Sequence, residues 1–164
     1  MYNLHQLGWY SFQQLAVTVA KEVFGQTVST FLPSNDGGRD GCFTGTWIKS
    51  KHESTKGAYV FQCKFTNKVN RRLKPSDIDD EFVKVKKLVD KGVCDFYILF
   101  TNNGVSGRVE ESLAKRFADI GVKHFRIYDN EWIVQTIKEN NRLRIMVPRV
   151  YGLGDLSQIL DARV

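Results

Sequence analysis

Hydrophobic and polar positions change their spacing several times along the chain, and each change marks a predicted element. Residues 7–24 place apolar side chains three and four positions apart, which predicts an amphipathic helix that ends at Gly25. Residues 28–32 are β-prone, and residues 39–48 predict a strand that pairs back on them after turn residues 33–38. The chain therefore begins with a helix and a β-hairpin.

The most convincing strand pattern lies at residues 58–65. Side chains of a strand point alternately to its two faces. Gln62 and Lys64 are two positions apart, so they project together from one face. The aperiodic, polar residues 49–57 before it predict an exposed loop. A lysine in such an apolar strand needs a partner, and Asp40, at the start of the preceding strand, is the obvious one.

After this strand, the chain alternates between helices and strands. Helices are predicted at residues 75–91, 106–120 and 129–140, and strands at residues 95–101 and 123–128. This alternation is typical of βαβ units. We therefore expect an α/β fold with an open sheet and helices on both of its faces.

The C-terminal segment differs in kind from the rest. Residues 147–155 predict a loop, and residues 156–162 could form only a short helix, which would be marginal by itself. The pattern divides the chain into a folded domain, residues 1–141, and a segment, residues 142–164. Two interpretations of that segment stay open: an arm packed on the domain, or a linker toward further domains.

Composition narrows the class of protein. With 164 residues, 42% hydrophobic side chains and eleven phenylalanines, the chain can bury one substantial core. Its three cysteines lack CxxC spacing, which argues against a disulfide framework or a zinc site and favours a reducing, cytoplasmic setting. No apolar run approaches membrane-spanning length, so we expect no membrane partner. A net charge of +6 suits a polyanionic partner without proving one.

Asp40, Gln62 and Lys64 are candidates for phosphodiester chemistry. Hydrolysis of a phosphodiester needs an activated water and stabilisation of the phosphate charge, and a divalent cation held by oxygen ligands provides both. Asp40, Gln62 and the main-chain carbonyl of Cys63 offer such oxygens, and Lys64 could hold or deprotonate the water. Each residue alone has an ordinary explanation as a turn acid or a solvated lysine. Their combination favours a site.

The motifs and the order of elements resemble a known family. A hairpin with Gly38-x-Asp40 is followed by a strand that ends in Gln62-x-Lys64, and then by a helix and a further strand. This arrangement resembles the PD-(D/E)XK nuclease superfamily over about residues 8–138. More narrowly, it resembles the Mrr-type restriction endonucleases, in which glutamine commonly replaces an acidic residue. The resemblance implies a restriction-endonuclease-like fold with a mixed central sheet flanked by helices.

The resemblance also implies roles for the motif residues. Asp40, Gln62 and Lys64 become the catalytic residues, and Asp40, Gln62 and the carbonyl of Cys63 become the metal ligands. The implied cofactor is Mg²⁺, with Mn²⁺ able to substitute for it.

One departure from the family is visible in the first helix. The family often carries a glutamate there, in a Phe-Glu-x-Leu element, whereas this chain has Phe12-Gln13-Gln14-Leu15. The site is therefore one acid poorer than expected. Asp36 and Glu22 are the alternatives for that acid.

A basic run follows the proposed catalytic lysine. Its members are the candidates for DNA binding: Lys68, Arg71, Arg72 and Lys74. Such side chains would contact backbone phosphates and position the duplex without reading bases, so we expect low sequence specificity. The alternative is an ordinary solvated loop.

The combined prediction is a metal-dependent endonuclease that cuts double-stranded DNA. One such site cuts one strand, so we expect a homo-oligomer when the protein is active. Residues 147–156 resemble the segment that joins such domains to STAND-type NTPase modules, which implies an effector domain of an anti-phage defence protein. Two alternatives stay open: a catalytically weak or inactive nucleic-acid-binding or sensing module of the same fold, and a structure-selective nuclease such as a junction resolvase.

Overall fold

The computed structural model describes residues 3–24, 28–33, 41–45 and 58–151, and only the backbone for residues 28–33, 41–45 and 149–151. Asp40 and Asp36, the loop predicted at residues 49–57 and the segment after Tyr151 lie outside these ranges. The elements follow one another in this order: a 3-10 helix Leu4–Gln6, α1 Gly8–Phe24, β1 Val28–Pro33, β2 Gly41–Gly45, β3 Tyr59–Lys64, a 3-10 helix Pro75–Ile78, α2 Asp79–Asp90, β4 Phe96–Thr101, α3 Gly107–Asp119, β5 His124–Tyr128, α4 Asn130–Glu139 and α5 Asn141–Tyr151.

The five strands form one mixed sheet in the order β1-β2-β3-β4-β5. The pairs β1–β2 and β2–β3 are antiparallel, and β3, β4 and β5 run parallel to one another. The expected α/β class and the hairpin formed by β1 and β2 are therefore confirmed. Strand β3 lies in the middle, with Gln62 opposite Cys42 of β2 and Lys64 opposite Thr101 of β4.

Helices cover both faces of this sheet, as the alternation of strands and helices predicts. One face packs on α1, α4 and α5 through side chains such as Phe61 and Phe100, and the other packs on α2 and α3 through Val60 and Leu99. Every side chain of β4 is buried, which explains its continuous apolar run. Both faces of the middle strands are thus fixed by packing, and the register of β3 is fixed with them.

Helices α3 and α4 begin at side-chain caps, close to the predicted bounds. Ser106 accepts a hydrogen bond from the backbone N–H of Val109, at 3.3 Å, and so caps α3. Asp129 accepts one from Trp132, at 2.9 Å, at the start of α4. The helix predicted from residue 75 begins instead as a 3-10 turn that leads into α2. None of the described helices is both long and apolar enough to cross a membrane.

The C-terminal helix α5 corrects one expectation. The pattern predicts a loop from Val147 onwards, but the helix continues to Tyr151 with Pro148 inside it. Leu143 and Val147, four residues apart, are fully buried in the core that α1 and α4 share. The side chain of Asn140 accepts a hydrogen bond from the N–H of Leu143, at 3.0 Å, and so helps to start this helix. The first part of the segment 142–164 is therefore packed on the domain.

Candidate active site at the end of strand β3

The end of β3 presents its side chains to both faces of the sheet. Cys63 belongs to the core on the α1, α4 and α5 side, together with Phe61. Val60 packs on the α2 and α3 side, and Lys64 reaches α2 on that side as well. The pleat therefore places Gln62 with Lys64, as the alternation in the sequence predicts.

Lys64 forms an ion pair with Glu81, the third residue of α2. Its Nζ lies 3.0 Å from Glu81 Oε1, and the two side chains are 18% and 3% exposed respectively. Sequence reasoning names Asp40 as the partner of this lysine, but Asp40 lies outside the described residues. Within the part of the chain that the structure describes, Glu81 supplies the partner charge, and sequence reasoning missed it.

The phase of α2 explains why Glu81 is buried. Ile78, Phe82 and Val85 form the apolar stripe of this helix, and Glu81 is three residues after the first and four before the last. It therefore lies on the face that packs against the sheet. This spacing is a signal that the sequence contains, although the cluster of acids around Glu81 conceals it.

The ion pair fixes the position of the lysine. A carboxylate that is 3% exposed keeps its charge only with a cation beside it. Removing one partner of a buried pair typically costs about 3–5 kcal/mol, and the partial exposure of Lys64 places this pair toward the lower end. The ammonium group is thus held at the end of β3, while it remains partly accessible to solvent.

Gln62 adds a buried amide on the same face. Its side chain is 5% exposed, and Nε2 has no hydrogen-bond partner among the described residues. A buried polar group left unpaired costs about 1–3 kcal/mol, so such groups often belong to functional sites. The oxygen and nitrogen of a glutamine amide can exchange places by a flip, so this position can offer either a donor or an acceptor.

Asp40, the predicted metal-binding acid, is adjacent to a described strand. It is bonded to Gly41, which is the first residue of β2 and pairs with Pro33. Cys42, the next residue, lies opposite Gln62 in the antiparallel register. The role of Asp40 stays a prediction.

The first helix offers no acid to this site among its described contacts. Gln13, at the position of the family's glutamate, is 3% exposed, and its Nε2 lacks a hydrogen-bond partner within the described ranges. Glu22, one alternative for the missing acid, accepts a hydrogen bond from Asn140 at 3.4 Å and pairs with Arg142 at 3.6 Å. Glu22 therefore joins α1 to the junction of α4 and α5. Asp36, the other alternative, lies outside the described residues.

The turn after β4 is held by buried amides. Asn102 and Asn103 are 1% and 2% exposed, and Thr101 Oγ1 accepts hydrogen bonds from the backbone N–H and the Nδ2 of Asn103, at 3.0 and 2.7 Å. The contacts of Asn102 lead to the chain that leaves β3. These residues are therefore occupied in building the turn.

The basic run divides into two kinds of residue. Lys68, Arg72 and Lys74 are exposed. Arg71 instead donates to Asp77 through Nη1 and Nη2, at 3.1 and 2.9 Å, and to Asn103 Oδ1 at 2.8 Å. Its hydrogen bonds to Asp77 are the main reason that the pKa of Arg71 is raised. Three members of the run are thus open to a phosphate backbone, and the fourth holds the loop in place.

The same contacts lower the pKa of the Asp77 carboxyl group. Burial by itself raises the pKa of its carboxyl group, but the hydrogen bonds from Arg71 and from the backbone N–H of Lys74, together with the charges of both residues, outweigh burial and hold the pKa below its ordinary value of 3.8. Beside this loop lies a cavity of about 380 Å³, which Arg72 lines together with His5 and Glu131. The cavity carries charges of both signs, so it is not a simple anion site.

Oxygen donors at the end of β3 suit a hard divalent cation. Glu81 provides a carboxylate, Gln62 an amide and Cys63 a main-chain carbonyl, and Mg²⁺ prefers such ligands. Within the described residues, no three His, Cys, Asp or Glu side chains group together to hold a metal.

No protein-family model matches this chain, and no curated protein matches it either. The fold and the site by themselves define the chain as an α/β domain with a lysine–glutamate pair at the end of its central strand.

Proposed function

We propose that this chain is a metal-dependent DNA endonuclease of the PD-(D/E)XK, Mrr-like type. The observation that carries the proposal is the position of Lys64 at the end of the central strand, paired with a buried carboxylate and beside a buried amide. Such a cluster of polar groups is costly in a core, and it coincides with the Gln-x-Lys motif found in the sequence.

The residues of the site have separate tasks in this proposal. Asp40, Gln62 and the carbonyl of Cys63 would hold the divalent cation. The buried amide of Gln62, whose Nε2 has no hydrogen-bond partner within the described residues, can offer its oxygen at that position after a flip. A Mg²⁺ ion held by these residues would supply an activated water and offset charge on the phosphate. Lys64 places its ammonium group where it can orient the attacking water or stabilise the developing negative charge.

The basic surface supports double-stranded DNA as the substrate. Lys68, Arg72 and Lys74 are exposed on the loop that follows Lys64 by a few residues, and the chain carries a net charge of +6. Phosphate contacts from such a loop are independent of sequence, so cleavage is of low specificity. Breaks in both strands require two sites, so the active form is a homo-oligomer. We place the enzyme in the cytoplasm, as the effector of an anti-phage protein with a downstream STAND NTPase module.

Plasmid DNA provides the direct test. The protein should nick or linearise the plasmid with Mg²⁺ or Mn²⁺ but not with EDTA, and Asp40→Asn and Lys64→Gln should abolish cleavage. Lys86→Gln is the matched control, because Lys86 is an exposed lysine of α2 that pairs only with Asp90 at the surface in the described structure. Cleavage that survives both site substitutions in folded protein would refute this active site.

The inactive alternative has one specific observation in its favour. Gln13 is buried where the family has its acid, so the first helix brings no negative charge to the site. A binding or sensing module would bind plasmid DNA both with and without Mg²⁺ or Mn²⁺, and it would not cut the DNA under any of these conditions. Comparing a linear duplex with a four-way junction in the same assay tests the remaining alternative, a structure-selective nuclease.

A further inference from the structure

We infer that Glu81 is a ligand of the divalent cation, and that it supplies the carboxylate that this chain lacks at Gln13 and at Gln62. The inference rests on the proposed function for its choice of metal, Mg²⁺ or Mn²⁺. Its geometric basis is the contact of Glu81 with Lys64 at 3.0 Å, on the face of β3 to which Gln62 also points.

Glu81 differs from the other acids around the start of α2. Asp80 is exposed, Asp79 is a surface residue 3.2 Å from Arg116, and Asp77 binds Arg71. Any of these three acids can serve the helix dipole, for which burial is unnecessary. Glu81 is the acid of this group that the helix turns into the core, and that position has a desolvation cost that the dipole does not explain.

Stability does not account for the buried pair either. Replacing a buried ion pair by apolar side chains of similar volume is often neutral or stabilising, so such a pair is weak evidence of a structural need. Beside it, the amide of Gln62 is 95% buried with Nε2 unpaired among the described residues. Two costly features on the same face have one common explanation if a ligand satisfies both. With the amide of Gln62 flipped, its oxygen takes the place of the unpaired nitrogen, and a cation bound to that oxygen and to the carboxylate of Glu81 would satisfy both.

The contact with Lys64 does not use all the ligand positions of the Glu81 carboxylate. A carboxylate has about four lone-pair sites on its two oxygens, so an ion pair with one ammonium group does not exhaust them. Oxygen ligands of this kind are those that Mg²⁺ and Mn²⁺ prefer. Glu81 would thus hold the cation and the lysine next to each other, where both can stabilise the charge that develops on a phosphodiester.

Binding of Mn²⁺, followed by its electron paramagnetic resonance signal, tests this role without any cleavage. The wild-type protein should bind the ion, and Glu81→Gln, which keeps the size of the side chain, should raise the Kd at least about tenfold. Asp80→Asn is the matched control, because it removes the same charge from the adjacent, exposed residue of the same helix. Its Kd should equal that of the wild type.

A second variant covers the case in which Glu81→Gln does not fold. The double substitution Lys64→Met and Glu81→Met removes both charges while it keeps the buried volume, so no unpaired ion remains in the core. It should fold and should bind Mn²⁺ as weakly as Glu81→Gln. Wild-type affinity in either variant, or no Mn²⁺ binding by the wild type, would overturn the role of Glu81.

The same measurements separate this inference from the proposed function. If Mn²⁺ binding depends on Glu81 but plasmid is never cut, the metal ligand stands and the endonuclease proposal fails. If plasmid is cut and Glu81→Gln changes neither the Kd nor the Mg²⁺ dependence of cleavage, the endonuclease stands and Glu81 is only the structural partner of Lys64.

Discussion

Asn102 binds the backbone of Thr66 through both atoms of its amide. Its Oδ1 accepts a hydrogen bond from the N–H of Thr66 at 2.8 Å, and its Nδ2 donates to the carbonyl of Thr66 at 2.7 Å. Asn102 follows β4 directly, and Thr66 lies two residues after Lys64. One buried side chain thus joins the chain that leaves β3 to the chain that leaves β4, and it fixes the backbone on which Lys64 is presented.

We predict that Asn102→Ala lowers the free energy of unfolding by about 2 kcal/mol or more, because each backbone group left unpaired costs about 1–3 kcal/mol. Urea denaturation measures the change. Asn67→Ala is the control, since Asn67 is an exposed asparagine next to Thr66, and it should leave stability unchanged. Equal midpoints for the two variants would show that the paired hydrogen bonds contribute little.

The Asp77 carboxylate should make the free energy of unfolding depend on pH in the acidic range. Because its pKa is held below the ordinary value of 3.8, the stabilisation is present above that value and is lost as the pH falls through the lower, folded value. Asp77→Asn should therefore be less stable than the wild type by about 1–3 kcal/mol at neutral pH. The difference should shrink as the pH is lowered below about 3.8.

Chemical denaturation at several pH values measures this difference. Asp80→Asn is the control, because Asp80 is exposed and close in sequence, and its difference from the wild type should be small at every pH. A gap between Asp77→Asn and the wild type that stays constant down to about pH 3 would contradict the contribution of the charge.

Strand β3 and its side-chain faces could be predicted because a strand's period of two needs no knowledge of its partners. Gln62 and Lys64 follow from that period. Glu81 could not be chosen as easily, because four acids around the start of α2 all suit the helix dipole, and only the helix phase identifies the buried one. The structure shows a 3-10 turn, Pro75–Ile78, directly before this helix.

The C-terminal helix was missed for a different reason. Pro148 and the glycines after Tyr151 are typical of loops, and they conceal the four-residue spacing of Leu143 and Val147. Burial against α1 and α4 stabilises a helix that local preference disfavours. The packing on α1 depends on a partner more than a hundred residues away in sequence, which a local pattern does not contain.

The packing of α5 leads to a contrast between two of its residues. Leu143 is fully buried, and Ile145 is 61% exposed. Leu143→Ala should lower the free energy of unfolding by about 2–5 kcal/mol, whereas Ile145→Ala should change it little. Thermal or urea unfolding compares the two. Equal effects would mean that α5 is not part of the cooperative domain and would support a boundary at residue 141.

Arg71 and Arg72 are adjacent in sequence, but replacing each by alanine should affect different properties, stability for the first and DNA binding for the second. Arg71 is bound to Asp77 and Asn103, so Arg71→Ala should lower stability by about 1–3 kcal/mol by leaving their acceptors unpaired. Arg72 is exposed, so Arg72→Ala should leave stability unchanged and weaken DNA binding uniformly across sequences.

The salt dependence of binding distinguishes a phosphate contact from a general loss of affinity. With a duplex of about 20 base pairs, removal of one phosphate contact should reduce the slope of log K, the binding constant, against log salt concentration by about 1. Arg116→Ala is a control for charge alone, because Arg116 lies on α3, away from the basic run in sequence, and pairs with Asp79 of α2. If Arg72→Ala and Arg116→Ala change the slope equally, the loop acts only through net charge. If Arg72→Ala changes it more, the loop after β3 lies against the DNA backbone, as an endonuclease site at Lys64 requires.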